Sequence, residues 1–150
     1  MKKEDSVDYY IKTAWHSLAR LYNNKAKDHG LTASSAFVLL NISSSEGTAA
    51  TKIAPLMGLE TRSLTRMLKT LEEKGLIYRK PDSHDRRSVR IFLTDQGMEK
   101  KGIAIETVKT FNNYLREHIN PQMLSAFREV SQRIIELVEN DRQLQKVIGQ

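Results

Sequence analysis

Residues 61–93 read TRSLTRMLKTLEEKGLIYRKPDSHDRRSVRIFL, and this stretch decides the fold. Leu64, Met67, Leu68 and Leu71 fall at i, i+3, i+4 and i+7, the spacing of a buried helical stripe. Arg62, Thr65, Arg66 and Lys69 lie on the opposite side. The helix is expected over residues 61–74, and Gly75 ends it. Two strand candidates follow, residues 76–80 ahead of Pro81 and residues 89–93, the second alternating apolar and polar at its start. Between them residues 82–88 form a polar hairpin tip.

The chain before this stretch reads as three helices. The first is expected over residues 6–27, with Val7, Ile11, Ala14, Trp15, Leu18, Leu21 and Tyr22 on one stripe and Gly30 as its stop. The second spans about residues 33–42, capped by the Thr32 hydroxyl and burying Phe37, Val38 and Leu40. Residues 43–47 are a turn by composition. Thr48 is read as the cap of a short third helix ending at Gly58. Pro55 is placed near that helix's start, where a missing N–H matters little. After the hairpin, Thr94 caps a long fifth helix to about His118. Asn120-Pro121 opens a sixth that runs to about Gln145, with Leu124, Phe127, Val130, Ile134, Leu137 and Val138 along one side. Two helices, a tight turn at Gly58 and a basic hairpin make a winged helix-turn-helix. The expected fold is mainly α with a small two-stranded β-wing, flanked by long helices. Too little chain remains to cover the apolar faces of those helices, so a second subunit is expected to do so.

Composition closes off other classes. The chain has 150 residues, no cysteine and 39% hydrophobic residues, which fits a globular protein and excludes disulfides, thiol redox sensing and cysteine-ligated metals. No apolar run reaches the roughly eighteen residues of a membrane span, and the start carries no secretory h-region, so a cytoplasmic protein is expected. The four histidines are dispersed without ligand spacing, and no metal or cofactor is expected. No phosphate-binding glycine loop and no nucleophile elbow occur, so no enzyme is expected. Positive charge is local: residues 60–93 hold nine Lys/Arg against five acids, within a chain of net charge +6. Such a patch is either a nucleic-acid contact or a solvated face of mixed charge.

Residues 53–77, IAPLMGLETRSLTRMLKTLEEKGLI, resemble the helix-turn-helix of the MarR family of bacterial transcriptional regulators. Residues 81–97, PDSHDRRSVRIFLTDQG, resemble that family's wing, with its Asp-Arg-Arg tip and its Leu-Thr-x-x-Gly exit into a long helix. Helix order and length fit over the whole chain. Two positions depart from the family: Glu60 stands where Ser or Thr often caps the recognition helix, and Pro55 replaces a common polar residue.

The resemblance implies one MarR-like domain over residues 1–150, with a DNA-binding lobe at 32–96 and a helical dimerisation region at 1–31 and 97–150. It implies a homodimeric, sequence-specific repressor on a pseudo-palindromic duplex, released by a small aromatic or lipophilic effector. On physical grounds Arg62 and Arg66 can each grip guanine O6 and N7 or a phosphate, and Ser63 and Thr65 can reach a base or a phosphate oxygen. Lys69 meets the backbone, or pairs with Glu73. Arg86 and Arg87 are placed at the wing tip; the resemblance implies that one enters the minor groove while Asp85 orients an arginine. Tyr9 and His16 lie off the first helix's main stripe and are candidates for an effector pocket, for dimer contacts or for exposed positions. The alternative to a regulator is a winged-helix protein–protein adaptor that does not bind DNA.

Overall fold

The structure is a computed structural model describing residues 2, 6–58, 60–82 and 88–149. The element order is α1 (Val7–Lys27), α2 (Ala33–Leu40), β1 (Thr48–Ala49), α3 (Ala50–Leu56), α4 (Thr61–Glu73), β2 (Ile77–Pro81), β3 (Val89–Leu93), α5 (Asp95–His118), α6 (Pro121–Asn140) and α7 (Arg142–Ile148). The chain divides into two compact units, Met1–Thr107 and Val108–Gln150, with α5 continuing from one into the other.

In the first unit the core is built from the middle of the sequence. Val38, Leu39, Ile42, Ile53, Leu71, Ile77 and Ile91 are fully buried, and Leu64 and Leu68 of α4 join them. Helix ends feed this core directly. After α1, the Leu31 N–H donates to the Ala26 carbonyl and the Gly30 N–H to that of Lys27; after α4, Leu76 bonds to Leu71 and Gly75 to Glu72. Both are Schellman closures, each with its glycine at positive φ, +72° at Gly30 and +68° at Gly75. Each places a buried leucine just past the turn. At the start of α2 the Thr32 hydroxyl accepts from Ser35 N–H, as expected, and Asn23 of α1 accepts from Ala33 N–H at 2.9 Å. Tyr22 meets Phe37 edge-on, and burial pushes its phenol above the usual tyrosine range.

The hairpin pairs Ile77 with Leu93 and Arg79 with Ile91, ending at Pro81 opposite Val89. Pro81 is tolerated because β2 is an edge strand. A third strand joins: β1 pairs with β3, Thr48 opposite Ile91. Thr48 therefore does not cap α3, whose N-cap is Ala49. Its hydroxyl accepts from Ser43 N–H and donates to the Asn41 carbonyl, tying the preceding turn. Gly47 makes the approach possible, since a Cβ there would lie 2.6 Å from the Ile91 carbonyl oxygen.

Other local differences have equally local causes. In α2 Leu39 is buried and Phe37 and Leu40 only partly so. Pro55 lies at the penultimate position of α3, not near its start. There its missing N–H leaves the Thr51 carbonyl without its helical partner, and the helix stops one residue later. In the second unit α6 ends at Asn140, short of residue 145. Asp141 adopts an extended backbone, and its side chain accepts from the N–H groups of Gln143 and Leu144, which caps α7. Asn120 caps α6 with Pro121 behind it, as the sequence indicates. No residue of α6 is buried.

Candidate nucleic-acid interface

One face of α4 is buried through Leu64, Leu68 and Leu71, and the rest is left to solvent. Arg62, Ser63, Thr65, Arg66 and Lys69 are all exposed. Arg62, Thr65 and Lys69 sit at i, i+3 and i+7 on one stripe, and Arg66 adjoins it. Among the described residues neither Arg62 nor Arg66 makes a side-chain hydrogen bond or ion pair, so both guanidinium groups keep their full set of donors. Lys69 reaches Glu73 at 3.8 Å, with both side chains well exposed. The Thr65 hydroxyl donates to the Thr61 carbonyl at 2.9 Å, and that of Thr70 to Arg66 at 3.2 Å. Glu60 is the N-cap residue and makes no side-chain cap bond, so the departure at this position leaves α4 without side-chain capping.

The base of the wing is braced from both sides. Arg90 on β3 donates through Nε to the buried Asp82 carboxylate at 2.9 Å. Its Nη1 donates to the carbonyls of Glu46 and Gly47 in the turn before β1. The Asp82 N–H closes the hairpin on the Ser88 carbonyl. On the same sheet face Tyr78 stacks on Phe92, their ring centroids 5.4 Å apart, and the Lys80 ammonium lies over both rings. Arg79 turns the other way and bonds Glu72 of α4 at 2.9 Å. The tip residues Asp85, Arg86 and Arg87 lie outside the described residues.

The sequence reading missed this bracing. Its signal is register: once Lys80 stands opposite Arg90, Asp82 falls diagonally across from Arg90 on the same face. Several cations counted in the basic patch are thus committed within the protein, Arg79 and Arg90 most firmly.

The exit from the wing is fixed as tightly. Thr94 Oγ1 donates to the Gly75 carbonyl at 2.7 Å and accepts from Gly97 N–H at 3.0 Å, while the Thr94 N–H donates to the Leu76 carbonyl. A Cβ on Gly97 would lie 1.9 Å from the Leu76 carbonyl oxygen, so only glycine permits this contact. The Leu-Thr-x-x-Gly pattern is thereby explained as a joint between the end of α4 and the start of α5. Tyr9 and His16 are exposed on α1, Tyr9 against Tyr10 in an edge-on pair. Among the described residues no helix is long and apolar enough to cross a membrane.

Residues 31–89 match the MarR family. The transcriptional regulator TtmR of Methylorubrum extorquens is 36% identical over 99 residues, 66% of this chain and 51% of that protein; the match spans about half of TtmR's length. The transcriptional regulator SarZ of Staphylococcus aureus is 34% identical over 107 residues, 71% of each chain. Among solved structures, the transcriptional regulator SlyA superposes with a TM-score of 0.80 at 24% identity, covering 91% of this chain and 96% of SlyA. The S. aureus MepR–DNA complex gives 0.79 at 18% identity, covering 87% and 97%. These two likenesses establish the winged-helix fold, and the relatives are regulators rather than enzymes. With its match to the family and its likeness to SarZ along most of both chains, this protein belongs to the MarR family of DNA-binding transcriptional regulators.

Proposed function

We propose that the protein is a homodimeric repressor that reads a pseudo-palindromic duplex with α4 and holds it with the wing. The observation that carries this is a pair of exposed arginines, Arg62 and Arg66, whose side chains have no partner among the described residues, on a helix whose opposite face is locked into the core. In this reading the N-terminal half of α4 enters the major groove. Arg62 and Arg66 contact guanine edges, Ser63 and Thr65 contact neighbouring bases or sugar-phosphate, and Lys69 meets a phosphate. One of Arg86 and Arg87 enters the minor groove, with Asp85 orienting an arginine, from a hairpin whose base is held by Arg90 and Asp82.

The division of labour follows the chain. Residues 32–96 form the DNA-binding lobe, and residues 1–31 and 97–150 complete the single MarR-like domain as its dimerisation region. Support comes from apolar side chains left in solvent: Ile11 and Trp15 on α1, Phe127 and Val130 on α6. A second copy covers them. The two recognition helices then lie about 34–36 Å apart, one helical turn of DNA. A small aromatic or lipophilic molecule releases the operator by favouring a spacing that no longer fits it, and Tyr9 and His16 are its candidate contacts. The protein works in the cytoplasm.

The test is fluorescence anisotropy on duplex from the protein's own upstream region and on a scrambled duplex, at two salt concentrations. Tight binding that prefers the upstream region supports a sequence-specific regulator. Equal, steeply salt-dependent binding to both indicates phosphate contact alone, and the specific reading fails for that region. Absence of binding at low salt, from protein freed of co-purified ligand, overturns the proposal in favour of an adaptor.

A further inference from the structure

We infer that Thr65 reads an A·T base pair through the 5-methyl group of its thymine. This rests on the reading of α4 as the base-contacting helix. The reason lies in where the Thr65 hydroxyl proton goes. Thr65 Oγ1 donates to the Thr61 carbonyl one turn back, at 2.9 Å. A helical threonine chooses its rotamer partly for this bond. With it made, the one O–H of this exposed side chain is committed, and what is left to offer is a γ-methyl and an oxygen that can only accept.

Ser63 is the contrast on the same helix. It is exposed, and its hydroxyl has no hydrogen bond among the described residues. It keeps a donor for a phosphate or a base acceptor, whereas Thr65 does not. Major-groove edges separate these two cases. Guanine shows acceptors only, which Thr65 cannot serve, and cytosine offers a donor but no methyl; an A·T pair offers both the adenine N6 donor and the thymine methyl, which the Thr65 methyl fits. Thr65 sits midway between Arg62 and Lys69 on one stripe, with Arg66 beside it. It is thus the apolar contact point within a cationic face.

The experiment uses a duplex that the purified full-length protein selects from a randomised pool. Thymines are replaced one at a time by deoxyuridine, which removes only the 5-methyl group. At one position wild-type affinity should fall about fourfold, the effect of losing one buried methyl. Thr65→Val, which keeps a methyl and has no hydroxyl, should bind like wild type and show the same deoxyuridine sensitivity. Thr65→Ser, which keeps the hydroxyl and has no γ-methyl, should bind the thymine duplex about fourfold more weakly and be indifferent to deoxyuridine there. The inference is overturned if no thymine position is sensitive, if the sensitivity persists in Thr65→Ser, or if Thr65→Val loses affinity as a missing donor would. A pool that yields no preferred sequence overturns the reading of α4 as a base reader, and the inference with it.

Discussion

Two regions of this chain treat apolar residues in opposite ways. Between Ala26 and Leu93 most large aliphatics go inside: Leu39, Ile53, Leu71 and Ile91 are fully buried, and Leu56 and Val89 are the exposed exceptions. On α6, by contrast, Phe127 is 66% exposed although it lies on a regular apolar stripe. A stripe of equal regularity therefore has two meanings. On α4 it closes a core within the chain, and on α6 it is left in solvent. Sequence periodicity reports that a face is apolar; only the surrounding chain decides what covers it.

The sharpest way to break this contrast is to truncate one residue of each kind. Leu71→Ala should cost about 2–5 kcal/mol in urea denaturation, at any protein concentration. Phe127→Ala should act through association, lowering the thermal midpoint in a concentration-dependent way. An equal, concentration-independent loss from both would erase the distinction. Gly97→Ala tests the joint that ties the core to α5, where the new Cβ meets backbone. A destabilisation of about 1–3 kcal/mol is expected, and an unchanged midpoint would show that the joint is looser than described.

The proposed DNA-reading surface gives effects of similar and then smaller size. Arg66→Ala should weaken operator binding by about 1–3 kcal/mol and relax the preference at one base pair. Unaltered preference would remove its base-reading role. Arg87→Ala should weaken binding and reduce the slope of log affinity against log salt by about 1. An intact slope would return the wing tip to a structural part. The smallest effect belongs to Glu73→Ala, because the Lys69–Glu73 pair is exposed on both sides. It should change stability by less than about 0.5 kcal/mol, and a larger change in calorimetry would mean that the pair is more than a surface contact.

What the sequence made legible follows from the length of each signal. α4 shows two full turns of stripe, and its boundaries and buried face match the reading within a residue. The wing strands were legible from alternation and from Pro81. α2 was legible as a helix, but its run Phe37-Val38-Leu39-Leu40 is apolar all round, so periodicity could not choose Leu39 over Leu40 for the interior. β1 is two residues long, too short for alternation to register. Asp141 is a strong N-cap type, yet the surrounding polar residues offered no change of period to mark a new helix. At the interface, residue types located the α4 arginines. They could not tell committed cations from free ones, because Arg79–Glu72 and Arg90–Asp82 depend on strand register and packing.

The joint at Thr94 also governs how this lobe opens. Its hydroxyl bonds the closing turn of α4 and the first turn of α5 at once, and its own amide bonds Leu76. Neither terminus can fray without releasing the other. In deuterated water the amides of Leu76, Thr94 and Gly97 should therefore exchange together, in one cooperative opening, rather than at the separate fast rates usual for helix ends. That outcome would mean that α4, the proposed DNA-reading helix, is held at its far end by a joint that opens as one unit.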